Sequence, residues 1–150
     1  MTKKFYPIFY LLSFTWGLFP TLAGALIAAG LLLTGHRPRR IGPCVYFRIG
    51  KNWGGMEFGM FFLRDDSSTD HVTLHEAGHS LQNIVLGPFM LPVVSFPSAM
   101  RYHYRNFLTR FVPGRAARLK PYDSIWFERQ ASALGYRYFK DFLKKEQKKS

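Results

Sequence analysis

The chain has 150 residues, 17% of them aromatic and 20% charged, with a formal net charge of +12 and a pI of about 10.1. The length fits one compact domain rather than two, and a charged share below the usual value of about 25% excludes an ordinary soluble composition. The basic residues flank apolar segments, and no helix-turn-helix, zinc-finger or aromatic RNA-binding signature is present; this argues against nucleic acid and for a membrane with anionic headgroups as a partner.

Residues 5–33 carry no charge, a run long enough to cross a bilayer, where about 20 apolar residues suffice. Lys3 and Lys4 precede it, and His36-Arg37-Pro38-Arg39-Arg40 follows it. A cleaved leader has a shorter apolar core, of about 7–15 residues, so the segment is expected to be retained. Gly17 and Pro20 interrupt it, which predicts either one tilted or kinked span or two short helices meeting at Trp16–Pro20. Gly24 and Ala28 make a small-xxx-small pair suited to packing another helix, with lipid-facing filler as the plainer alternative. Residues 1–40 are thus expected to form a membrane-anchoring, transmembrane or re-entrant helical segment with a basic flank. Residues 41–150 would form the body. The Lys- and Arg-rich later chain places that body on the cytoplasmic side of a membrane.

Residues 44–50 and 56–63 are aromatic and β-branched, with Lys51-Asn52-Trp53-Gly54-Gly55 between them. The pattern predicts a β-hairpin. The single cysteine, Cys44, cannot form an internal disulfide and reads as a small buried hydrophobe. Residues 64–70 are a polar loop in which Thr69 and Asp70 are the best-placed helix caps. A helix is predicted from His71 to Leu86, stopping at Gly87-Pro88. Pro88, Pro92 and Pro97 exclude one straight helix over residues 84–100. Residues 101–120 hold six Arg or Lys and no acid, which fits a solvated basic loop or a headgroup-binding arm equally. A last helix is expected from Tyr122, with Lys144, Lys145, Lys148 and Lys149 suiting its C-terminal end. The aromatic stretches at Phe58–Phe62 and Phe107–Phe111 read as core or interface. His36 and His71 read as surface or loop residues.

The chemistry-bearing motif is His75-Glu76-Ala77-Gly78-His79. Residues four apart on a helix share a face, so His75 and His79 can reach one metal ion at about 2.0–2.1 Å. Glu76, one position on, is placed to take a proton from water that such an ion acidifies. Gly78 inside a helix costs about 1 kcal/mol, which calls for compensation such as close packing of another element. A catalytic zinc takes three protein ligands. On residue type alone the third could be Glu128, Asp123, His103, His71 or Glu146, with Glu128 best placed on the amphipathic segment Trp126–Ala131.

The segments His75-Glu76-Ala77-Gly78-His79-Ser80-Leu81-Gln82, Leu86-Gly87-Pro88, Leu91-Pro92-Val93-Val94 and Phe96-Pro97-Ser98 resemble a group of small bacterial membrane proteins. That group carries a HExGHxxQ helix and is similar to gluzincin-type zinc metallopeptidases. Its later aromatic-x-Glu-x-x-Ala-Asp-x-Leu-Gly element reads Trp126-Phe127-Glu128-Arg129-Gln130-Ala131-Ser132-Ala133-Leu134-Gly135 here. The resemblance implies zinc as cofactor, His75, His79 and Glu128 as metal ligands, and Glu76 as catalytic base. Ser132 stands where the group has Asp, as a candidate to orient a metal-binding histidine. It lacks the charge, so Asp70 or Asp123 is an alternative.

The expected architecture is therefore α+β: the helical anchor, a small β-hairpin or sheet, a zincin-like metal-binding helix and a C-terminal helix. The expected function is membrane-associated hydrolysis of peptide bonds in a peptide or protein substrate. A non-catalytic zinc-binding membrane scaffold or assembly subunit is the alternative. The Met56–Leu63 strand is expected to bind substrate by strand addition, and Tyr122, Tyr136, His103 and Arg101 are the possible oxyanion donors.

Overall fold

A computed structural model describes residues 3–147; the side chains of Lys3, Asp123 and residues 145–147 lie outside the described set, as do Lys148 and Lys149 altogether. The fold is α+β, with six α-helices and a four-stranded mixed sheet among the described residues.

The charge-free N-terminal run forms two helices, α1 (Tyr6–Phe14) and α2 (Leu18–Leu33), bent by 95° at a short break. Gly17 lies at the break, and Pro20 falls in the first turn of α2, where its missing N–H has no helical partner to lose. Among the described residues no single helix is long and apolar enough to cross a membrane. Helix α2, with 16 residues, reaches only about 24 Å at 1.5 Å per residue. Of its small pair, Gly24 meets the β3–β4 turn region and not a helix. Gly24 and Ala28 are buried, and a Cβ on Gly24 would come within 2.5 Å of the Phe58 carbonyl and 2.9 Å of Phe61 Cβ. The bare helix face seats a hairpin tip.

That hairpin differs from the expected one. Strands β1 (Arg39–Ile41), β2 (Cys44–Arg48), β3 (Gly55–Phe58) and β4 (Phe61–Arg64) lie in the order β1-β2-β4-β3. The 56–63 stretch is two strands, not one. Gly59, at φ +68°, turns the chain against Thr21 of α2, so β3 and β4 pair antiparallel with Phe58 opposite Phe61. Strand β4 then pairs parallel with β2. The predicted pairing of 44–50 with 56–63 as a hairpin is thereby corrected: the glycine turn closes a tighter local hairpin and inserts β4 between β2 and β3. Tyr46 and Phe62, opposite each other in the β2–β4 register, stack with ring centroids 5.0 Å apart.

Helix α3 (Asp70–Leu86) begins one residue before the expected start and ends at Gly87 in the left-handed region, φ +55°. Thr69 precedes it in extended backbone but makes no side-chain cap bond. The helix start is pinned instead by buried Arg64, whose Nη1 donates to the Ser68 and Thr69 carbonyls and, at 2.7 Å, to Thr73 Oγ1. Leu74, Ala77, Leu81 and Ile84 recur at helical spacing and enter one core with Phe9, Tyr46, Phe62 and Phe139. Burial of each large apolar side chain there contributes about 1.5–3 kcal/mol. Cys44 lies fully buried in that core, as its reading as a small hydrophobe anticipates, and burial pushes its thiol up to about 12.

After α3 the prolines act as expected. A 3-10 turn (Gly87–Phe89) and a π turn (Leu91–Ser95) lead into α4 (Phe96–Phe111), and the chain bends by 115°. The basic stretch 101–120 is not a loop over most of its length: α4 runs on to Phe111, and α5 (Pro113–Ala116) follows. The last helix, α6 (Trp126–Gln147), starts four residues later than expected, because Tyr122–Ser124 forms a separate 3-10 turn closed off by extended Ile125.

Candidate metal centre

Helices α3 and α6 cross with almost no side-chain layer between them. A Cβ at Gly78 would collide with the Ala131 carbonyl, and a Cβ at Gly135 with the Leu74 carbonyl. These reciprocal glycine contacts explain Gly78 within the motif. They bring the Glu128 side of α6 against the His75–His79 side of α3.

His75, His79 and Glu128 converge there and could together hold a metal ion. Their inward atoms lie 3.1 Å (His75 Nε2 to His79 Nε2), 3.0 Å (His75 Nε2 to Glu128 Oε2) and 3.4 Å (His79 Nε2 to Glu128 Oε2) apart. A tetrahedral ion with bonds of about 2.0–2.1 Å would separate its ligand atoms by about 3.3–3.4 Å. Glu128 is wholly buried; burial alone would raise its carboxyl, and the His75 and His79 imidazoles facing Oε2 hold it below its ordinary range instead. A buried carboxylate kept in its charged form is costly without a compensating positive charge.

The outward ring nitrogens are already engaged. His75 Nδ1 lies 2.9 Å from Ser132 Oγ, and His79 Nδ1 lies 2.7 Å from Gln82 Oε1. The Gln82 amide nitrogen donates to the Phe127 carbonyl and to Gln130 Oε1, both at 2.9 Å. A main-chain carbonyl can only accept, so the amide orientation follows: Oε1 must face His79. His79 therefore carries its proton on Nδ1, and Nε2 presents a lone pair to the cluster. A lone pair and a carboxylate oxygen converging in a buried space fit a cation.

Glu76 is buried beside this group, and burial pushes its carboxyl up to about 7, with His75 lowering and Glu128 raising it. Its side chain rests on strand β3, since a Cβ at Gly55 would lie 2.6 Å from Glu76 Oε1 and 2.7 Å from its Cγ. Strand β3 is one of the two sheet edges, β1 being the other; β4, the other half of the expected substrate strand, is interior. On β3, Glu57 Oε1 is buried without a partner, and burial and the Glu76 charge push that carboxyl well above its ordinary range.

Of the other expected ligands, His71 and His103 do not join the cluster. His71 is exposed, its ring 5.8 Å from Tyr136, and His103 is exposed on α4 beside Tyr102. The side chains of Asp123 and Glu146 lie outside the described residues. Asp70 is exposed at the start of α3, and the partner position on His75 is taken by Ser132. Of the four oxyanion candidates, Tyr122 feels the charges of both Glu128 and Glu76. Its hydroxyl bonds Ser98 Oγ at 2.7 Å, and burial, reinforced by the Glu128 and Glu76 charges, pushes it up to about 12. Arg101 instead donates to the Pro121 carbonyl and Ser124 Oγ.

Gln82, Gly55, Ser98 and Glu57 received no role from the sequence. Gln82 is three residues after His79 on the same helix face, a spacing that marks it as a partner. Glu57 alternates with exposed Met56 and so faces inward. Nothing local marks Gly55 or Ser98. Compared with protein-family models, with curated proteins and with solved structures, the chain matches none of them significantly, so the reading of this centre rests on its own geometry.

Proposed function

We propose that the chain is a zinc-dependent peptidase in which His75, His79 and Glu128 hold the metal and Glu76 is the general base. The observation that carries this reading is the convergence of two imidazole nitrogens and one buried carboxylate oxygen within 3.0–3.4 Å of one another. Two nitrogens and one oxygen from three protein side chains match the donor set of catalytic zinc, which leaves a fourth position for chemistry. Zinc, when bound, supplies a Lewis acid that polarises a carbonyl and acidifies water.

The chain's own residues divide the remaining work. Ser132 and Gln82 hold the two rings in their orientations. Glu76 lies between the cluster and edge strand β3, where it can take a proton from water and pass it to a leaving amine. An extended peptide adding to the free edge of β3 would bring its carbonyl beside Glu76. Tyr122, held by Ser98, is the hydroxyl best placed to donate to a developing oxyanion.

The test is Glu76→Gln, assayed for zinc content and for cleavage of a fluorogenic peptide library. One zinc per chain retained with cleavage lost supports the reading. Cleavage unchanged in the variant, or a wild-type chain that takes up no zinc, overturns it. Ser132, uncharged at its position, favours a second reading, a zinc-binding membrane scaffold without catalysis; a wild-type chain that binds zinc tightly but cleaves nothing would select it.

A further inference from the structure

The exposed surface carries a second pattern, separate from the metal centre. Along α4, Phe96, Met100, Tyr104, Phe107 and Phe111 are 65%, 57%, 57%, 56% and 62% exposed. Their spacing of four, four, three and four residues places them on one helix face. The flank beside the stripe is the one that docks on the protein: Leu108 is buried, Arg101 reaches Pro121 and Ser124, and Arg105 reaches the Lys120 carbonyl. The aromatic stripe is therefore left open to the outside among the described residues.

The stripe begins where both bends of the chain meet. Trp16, at the α1–α2 corner, donates to the Val85 carbonyl at 3.2 Å, and a Cβ on Gly87 would collide with its ring. Asn83 bonds the Gly17 carbonyl. The 95° corner thus sits on the start of the 115° corner. Around this junction Phe19, Val85 and Phe89 are 65%, 73% and 59% exposed, within stretches that carry no charge (5–33 and 84–100). Immediately beyond lie Arg110, Arg115, Arg118 and Lys120, all exposed, in a segment with no acid.

We infer that the junction of the two bends and the aromatic stripe of α4 form one docking surface for a bilayer with anionic headgroups, entered from one side in the plane of the interface. Charge selects this occupant: an apolar wedge bordered by unopposed arginines matches acyl chains beneath phosphate. Both helix pairs turn sharply, by 95° and 115°, which fits a chain that enters and leaves on the same face.

The test uses the full-length protein and vesicles of phosphatidylcholine with or without phosphatidylglycerol. Cys44 is fully buried, so single cysteines introduced by Val85→Cys, Phe107→Cys and, as control, Lys51→Cys can carry an environment-sensitive dye. The expected result is vesicle-dependent blue shift at 85 and 107 and none at 51. Phe107→Glu should weaken flotation with anionic vesicles about tenfold, and Arg115→Gln with Arg118→Gln should remove its dependence on phosphatidylglycerol. Dyes at Lys4→Cys and His36→Cys should both remain open to an impermeant quencher added outside. A blue shift at 85 and 107 that grows with protein concentration without vesicles would assign the surface to a second copy and overturn the proposal. Quencher protection of one end of the 4–36 segment would mean that it spans, which also overturns it.

Discussion

Gln82 and His79 act as one unit: the amide oxygen is 2.7 Å from Nδ1, while the amide nitrogen is tied to the Phe127 carbonyl and Gln130 on the helix that supplies Glu128. One side chain thus sets the tautomer of one ligand and the position of another. Gln82→Leu, similar in size but unable to accept or donate, should weaken zinc binding about 10–100-fold, the usual effect of losing such a partner. Competition with a chromophoric chelator measures it, and unchanged affinity would remove Gln82 from the site.

Metal removal should be visible in stability. A ligand that binds only the folded chain adds about 2.7 kcal/mol at one hundred times its Kd. Zinc should raise the unfolding midpoint of the wild type, and a chelator should lower it. His75→Ala with His79→Ala should show neither response. Equal zinc stabilisation of wild type and double variant would place the metal elsewhere.

Gly55 and Glu76 give a way to move the base without touching the ligands. Gly55→Ala puts a methyl where the Glu76 carboxyl now rests. A displacement of that size should lower kcat about 10–100-fold, with zinc content unchanged. Loss of zinc along with activity would mean that the strand supports the whole cluster and not the base alone.

The glycine crossing predicts a stability defect. Gly78→Ala and Gly135→Ala each drive a methyl into a main-chain carbonyl of the facing helix. Such overpacking destabilises by about 1–3 kcal/mol. Because the same crossing carries Glu128 to the histidines, zinc affinity should fall as well. Urea unfolding and metal titration on each variant test both halves.

Asp65 predicts a pH dependence. Its carboxylate accepts hydrogen bonds from Ser67 Oγ and from the Trp53 and Gly54 amides, which hold it below its ordinary value of 3.8. A carboxyl depressed in the folded state adds stability that is present above its unfolded value and lost as pH falls below it. The urea midpoint of the wild type should exceed that of Asp65→Asn at pH 6, and the gap should begin to narrow near pH 4 and shrink further as pH falls toward the depressed folded value. A gap that stays constant with pH would remove the charge from the explanation.

The sequence by itself determined the elements with strong local signals. The helix carrying His75 and His79 ends at Gly87, because a glycine in the left-handed region is a local stop signal. The break near Gly17 follows from a residue that holds a helix weakly, and the bends after Pro88 from missing backbone donors. The nomination of Glu128 as a ligand came from its motif, and that of Ser132 as a partner from its place one turn later. Only the tertiary structure decided the rest, since each remaining feature joins residues distant in the chain. The sheet order turned on Gly59 meeting Thr21, which made two strands of one apolar stretch. Gly24 met a hairpin instead of a helix, and Gly55 acquired its meaning from a carboxyl on another element. The convergence at the metal centre required two glycines, 57 positions apart in the chain by their numbers, to strip the side chains from one helix crossing; no local pattern encodes how closely two backbones will approach.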